Sequence, residues 1–156
     1  MQIEVGQAAP DFILFDSEKK QVTLSEQKGQ PVLLLFFPLA FTSTCTQELC
    51  SVRDTINWYN NINAKVFGIS VDALFTLAKY KEEQQLNFTL LSDFNKEASL
   101  AFGSIYEMFG FNMKGVSKRS AFVVDKDGII RYAEVLENAG EIPDFTKIKE
   151  CLSGLQ

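Results

Sequence analysis

The chain has 156 residues, 46% of them apolar and fourteen of them Phe, which suits one domain with a core that needs no cross-links. Fifteen basic residues against twenty acidic ones leave a net charge of −5 with no basic cluster, which argues against nucleic acid and anionic membrane as partners. There is no histidine and the three cysteines are not clustered, so neither a zinc site nor Cys–His catalysis is expected.

Residues 1–5 show no basic region followed by an apolar one, so no signal peptide is read, and no apolar run is long enough to span a bilayer. Three cysteines in this setting suit a reducing cytoplasm, with any disulfide transient. Residues 6–12 form a lead-in. Residues 12–15 and 21–23 read as a short hairpin around Asp16-Ser-Glu-Lys-Lys20. Residues 25–28 give one helical turn before Gly29. The run Val32-Leu-Leu-Leu-Phe-Phe37 reads as a strand buried on both faces and stopped by Pro38, which has no amide to donate and restricts Phe37. Beyond it Leu49, Val52, Ile56 and Tyr59 recur at helical spacing, so a helix is expected to run to about residue 61.

Residues 64–70 form a second buried strand. Asp72 is placed to cap a helix through Leu77 and Tyr80 to about residue 85. A third strand covers residues 88–91, and Ser92-Asp93 leads into a helix near residues 97–102. Strands at 121–124 and 129–132 flank Asp125-Lys-Asp-Gly128, a strong hairpin signal. Asp144 opens a last helix with Ile148, Leu152 and Leu155 inward. No repeat or linker interrupts residues 1–156. Parallel crossovers followed by an antiparallel hairpin and a closing helix predict an α/β fold: a central mixed β-sheet flanked by helices on both faces.

The chemistry gathers at Cys45. It falls at or near the first turn of a helix that leaves the end of the central strand. There the unpaired backbone amides and the positive end of the helix dipole favour a thiolate. Thr42, three residues earlier, is placed either to bond the sulfur or to cap the helix. The bland alternative is a buried, inert cysteine. Cys50 lies five residues on. In a regular helix their Cα atoms are ~8.6 Å apart, whereas a disulfide needs about 4.4–6.8 Å. The two sulfurs can join only if the helix start unwinds; otherwise Cys50 is a small core residue.

Pro38-x-x-x-Thr42-x-x-Cys45 resembles the active-site signature of the peroxiredoxins, and Gly6-Gln-Ala-Ala-Pro10-Asp-Phe12 resembles their opening. Phe36-Phe-Pro-Leu-Ala-Phe-Thr42 is similar to the alkyl hydroperoxide reductase E branch. Cys45-x4-Cys50 is similar to the peroxiredoxin Q, or bacterioferritin comigratory protein, branch. The resemblance runs from about Gly6 onward.

It implies a thioredoxin-like fold and a thiol peroxidase acting on hydrogen peroxide or organic hydroperoxides without a cofactor. Cys45 would attack the peroxide and become a sulfenic acid. Thr42 would orient the peroxide, and Pro38 would wall the sulfur from water. Arg119 is nominated as the cation, with Lys118 and Arg53 as rivals, and Glu48 as the carboxylate that holds it. Cys50 would resolve the sulfenic acid, with Cys151 the other candidate. The reductant would be thioredoxin, or a glutaredoxin-like protein if Cys50 does not serve.

E-type proteins commonly lack the second helix cysteine, and the Q-type lacks the Phe-Pro-Leu-Ala-Phe wording, so the site is better marked than the resolving step. The E-type likeness implies a homodimer, whereas Q-type relatives are often monomers. Phe41, Phe75, Phe102, Tyr106, Phe109 and Phe111 are candidates for a rim around the site or for core packing. Two other classes compete. A general thiol–disulfide oxidoreductase or electron carrier normally uses Cys-x-x-Cys, which is absent here. A chaperone or partner-binding module has nothing positive to support it.

Overall fold

The computed structural model describes residues 3–156. Met1 and Gln2, part of the stretch read for a signal peptide, lie outside the described residues. Among the described residues seven strands form one sheet: β1 Ile13–Asp16, β2 Gln21–Thr23, β3 Val32–Phe36, β4 Lys65–Ser70, β5 Thr89–Ser92, β6 Ser120–Val124 and β7 Ile130–Val135. Five α-helices accompany it: α1 Ser43–Asp54, α2 Ile56–Asn61, α3 Leu74–Gln84, α4 Glu97–Ala101 and α5 Phe145–Gly154.

The strand order is β2-β1-β5-β4-β3-β6-β7. β3, β4 and β5 run parallel, while β6 is antiparallel to β3 and β7 to β6. This mixed sheet, with its parallel crossovers, antiparallel hairpin and closing helix, is the thioredoxin-like arrangement the sequence led us to expect.

β3 sits mid-sheet, and every residue from Val32 to Phe36 is buried. Its side chains alternate between two cores, as the two-residue period of a strand requires. Leu33, Leu35 and Phe37 face Leu49, Val52, Tyr59, Leu77, Tyr80, Ile148 and Leu152, from α1, α2, α3 and α5. Val32, Leu34 and Phe36 face Phe12, Leu24, Ala98, Phe102 and Phe122. Helices therefore cover both faces unequally. The second face is closed by the short α4, the lead-in segment and the turn at Leu24–Gln27.

Gly68 of β4 is a close-approach position. A Cβ there would lie 2.7 Å from Leu90 Cδ2 and 3.4 Å from the Phe37 and Phe88 rings. The missing side chain at Gly68 leaves room for the Leu90 side chain of β5, the neighbouring strand.

Several boundaries differ from expectation. The single helix to residue 61 is two helices, broken at Thr55, whose φ of −120° and ψ of 19° are not helical. Its hydroxyl donates back to the Ser51 carbonyl at 3.0 Å, a local bond that competes with the backbone ladder. Asp72 does not cap α3. Ala73 holds that position without a side-chain cap, and the Asp72 carboxylate is engaged elsewhere. The third strand starts one residue late, at Thr89. Asp144 does cap α5, accepting from the Lys147 amide at 3.1 Å, and Ile148 and Leu152 point inward as expected.

Candidate active site

Cys45 lies on the buried face of α1 with Glu48, Leu49 and Val52. The helix begins just after β3, because Phe37 and Pro38 end the strand and residues 39–42 turn the chain. Thr42 is in extended conformation at φ −95° and ψ 152°, and its carbonyl accepts the first helical bond from the Thr46 amide at 2.9 Å. The amides of Ser43, Thr44 and Cys45 therefore lack a helical acceptor and carry the positive end of the dipole.

The cation comes from the neighbouring strand. Ser120 of β6 pairs with Phe36, the last residue of β3. That register brings Arg119, one residue earlier, beside the end of β3 and the start of α1. Its Nη2 donates to Cys45 Sγ at 3.3 Å. Nη1 donates to Glu48 Oε1 at 2.7 Å, and Nε to the Ala139 carbonyl at 3.0 Å. All three nitrogens are engaged, so the fork is fixed rather than swinging.

The triad is dry. Cys45 is 1% exposed, Arg119 2% and Glu48 0%. Burial opposes the Arg119 charge, but Cys45 and Glu48 outweigh it and hold the guanidinium above its ordinary value. For Glu48 the balance goes the other way. Burial pushes its carboxyl from 4.5 to about 7; Arg119 lowers it and Glu134 raises it further. The pair favours both charges and burial opposes both, but burial prevails at Glu48, where Oε2 has no hydrogen-bond partner.

The sequence-derived candidates fare as follows. Pro38 is buried beside the strand end. The Thr42 hydroxyl neither bonds the sulfur nor caps the helix; it donates to the Leu39 carbonyl at 2.8 Å. That leaves its oxygen lone pairs free to accept. Arg53 turns away, to Asp54 at 2.9 Å and the Gln84 carbonyl at 2.7 Å. Lys118 pairs with Glu137 at 2.6 Å.

Cys50 lies on the same unbroken α1 as Cys45, half-buried, with its sulfur 3.7 Å from Gln84 Oε1. All three cysteines are free. Cys151 sits on α5 against the Arg131 carbonyl, its thiol pushed up by burial.

Of the aromatics, Phe102 belongs to the second core, while Phe75 and Phe111 are exposed. Phe41 packs on Tyr80 with ring centroids 5.0 Å apart, and Tyr106 stacks on Phe109 at 5.6 Å. Sequence reading missed the Ala139 carbonyl, which no side-chain pattern announces. It also missed Tyr80, whose hydroxyl meets Thr46 Oγ1 at 2.8 Å across α1 and α3. A cleft of about 200 Å³ at the start of β3, lined by Ala9, Leu24, Lys28 and Asp125, lies at the opposite end of that strand from the thiol.

A cysteine at the head of a helix, held by a buried guanidinium at the end of the central strand of a thioredoxin-like sheet, defines a thiol redox protein of that fold. Residues 5–133 match the AhpC/TSA family. Alkyl hydroperoxide reductase E from Mycobacterium tuberculosis is 38% identical over 156 residues, covering 98% of each chain. Peroxiredoxin Q from Oryza sativa is 35% identical over 131 residues; the match takes in 84% of this chain but only 58% of that longer relative. The crystal structure of peroxidoxin BcpB from Mycobacterium tuberculosis superposes with a TM-score of 0.86 at 29% identity, covering 99% of each chain. The chain belongs to the AhpC/TSA family, the peroxiredoxins. Among the described residues no helix is long and apolar enough to cross a membrane.

Proposed function

We propose that this chain is a thiol-dependent peroxidase that reduces hydrogen peroxide and organic hydroperoxides through Cys45. The observation that carries the reading is the 3.3 Å bond from buried Arg119 to the Cys45 sulfur. A cation at that distance favours the anionic, nucleophilic form of a thiol.

The thiolate attacks one peroxide oxygen and the O–O bond breaks. The other oxygen leaves with the electron pair and takes up a proton, giving water or an alcohol. Cys45 keeps the first oxygen as a sulfenic acid. Arg119 faces the negative charge before and during this transfer, and the free amides of the first turn add donors. Thr42, whose own proton is committed to Leu39, accepts a hydrogen bond from the peroxide hydroxyl and so orients the substrate. Pro38 walls the sulfur from bulk water, and Glu48 holds the guanidinium in place.

The Cys50 thiol then attacks the sulfenic sulfur, water leaves and a Cys45–Cys50 disulfide forms. On an intact helix the two Cα atoms are ~8.6 Å apart, so the start of α1 unwinds for this step. An external dithiol, of the thioredoxin or glutaredoxin-like kind, returns the disulfide to two thiols. The reading places the enzyme in a reducing compartment, the cytoplasm, as a single domain without cofactor. The E-type likeness favours a homodimer.

Stopped-flow mixing with one equivalent of peroxide tests it. Wild type and Cys50→Ser consume the peroxide rapidly, and Cys45→Ser does not. Rapid consumption by Cys45→Ser would end the assignment.

A further inference from the structure

We infer that Asp72 is a positioning residue for peroxide reduction, holding the loop between Pro38 and Thr42 over the thiol. The inference rests on the peroxidase reading above. Asp72 lies in the connection between β4 and α3, far from Cys45 in sequence, and its carboxylate does not serve its own helix. Oδ2 instead accepts the Ala40 amide at 2.8 Å, across 32 residues. The same oxygen accepts the Ser70 hydroxyl at 2.6 Å, and the Ser70 oxygen accepts the Asp72 amide at 3.2 Å. The Asp72 carbonyl accepts the Ser92 hydroxyl at 2.6 Å. Asp72 is therefore tied to the ends of both β4 and β5, a fixed post from which one bond reaches the loop.

The loop needs such a post. Phe41, next to Ala40, has φ of +67°, a region that bulky L-residues avoid. Its ring rests on Tyr80 with 49% of the residue exposed, so packing alone does not hold the bend. The carboxylate bond at Ala40 and the Tyr80 contact at Phe41 fix successive residues just ahead of Thr42. The consequence falls on the substrate and not on the sulfur. Arg119 sets the charge environment of Cys45 from just ahead of β6, independently of this loop. Asp72 sets where the Thr42 oxygen stands when the peroxide arrives, and small misplacements at this stage are costly in rate.

The test compares two reactions of the same thiol in each folded variant. One is the second-order rate constant of oxidation by hydrogen peroxide. The other is alkylation by iodoacetamide at the same pH, which needs the nucleophile but no oriented peroxide. Asp72→Ala is expected to slow oxidation by about ten- to a hundredfold with little change in alkylation. Asp72→Asn, which keeps an acceptor for the Ala40 amide, is expected to recover most of the rate. Ser70→Ala, which removes one bond to the carboxylate, reads the same clamp if alanine at position 72 prevents folding. It is expected to slow oxidation by a smaller factor.

A wild type that reacts with peroxide alongside Asp72 and Ser70 variants that react equally fast would overturn the inference. So would oxidation and alkylation falling together, or an Asp72→Asn rate no better than that of Asp72→Ala. A wild type that does not react would instead refute the peroxidase reading itself.

Discussion

Glu48 offers a sharp test of the electrostatics because its carboxyl is fully buried and only half satisfied. Its pKa is raised from 4.5 to about 7, chiefly by burial. A raised value means that the folded chain holds the proton more tightly than the unfolded chain does. The stability Glu48 contributes is then fully present below pH 4.5 and is lost as the pH rises through about 7. At roughly 1.4 kcal/mol per pH unit, the change amounts to at most about 3 kcal/mol. Glu48→Gln keeps the shape and an acceptor for Arg119 but cannot ionise. Urea unfolding of both reduced proteins, followed by the single Trp58, isolates the effect, since other titrating groups cancel in the difference. Wild type should lose stability relative to Glu48→Gln by up to about 3 kcal/mol between pH 4.5 and 8. A difference that stays flat, or that grows in favour of wild type as pH rises, would refute the assignment of burial as the dominant influence on this carboxyl.

Gly68→Ala should destabilise the fold by about 1–3 kcal/mol, read from the urea midpoint, because its Cβ would meet the Leu90 side chain in the core. Oxidation by one equivalent of peroxide should link Cys45 to Cys50 and lower the far-UV helical signal by part of the twelve residues of α1; an unchanged spectrum would mean that the helix does not unwind. Tyr80→Phe removes the hydroxyl that meets Thr46 Oγ1 at 2.8 Å. Losing a bond worth about 1 kcal/mol should speed disulfide formation roughly fivefold in rapid-quench assays, and no acceleration would show that this contact does not restrain α1.

Much of this architecture was legible in the sequence because local signals agreed with the global fold. The unbroken apolar run at residues 32–37 marked the central strand, and Pro38 marked its end. Asp125-Lys-Asp-Gly128 marked the hairpin whose first strand begins just after Arg119. What was not legible depends on partners distant in the chain. Asp72 has the sequence context of a helix cap, yet the Ala40 amide and Ser70 hydroxyl claim its carboxylate. Thr42 has the position of a cap, yet its hydroxyl turns back to Leu39. The break at Thr55 follows from one threonine bonding back to Ser51, a choice the apolar spacing through Tyr59 does not report. The burial that raises the Glu48 pKa exists only once β6 lies against β3 and α1 closes over it.

The central claim is that the Arg119 guanidinium makes Cys45 a peroxide-reactive thiol, and the rate of Cys45 oxidation in Arg119→Ala tests it most directly. Arg119→Lys, which keeps a charge but loses the fork, serves as the folded comparison. Stopped-flow mixing with hydrogen peroxide should show Arg119→Ala slower than wild type by about a hundredfold or more, with Arg119→Lys between them. Folded variants that oxidise at the wild-type rate would contradict the account.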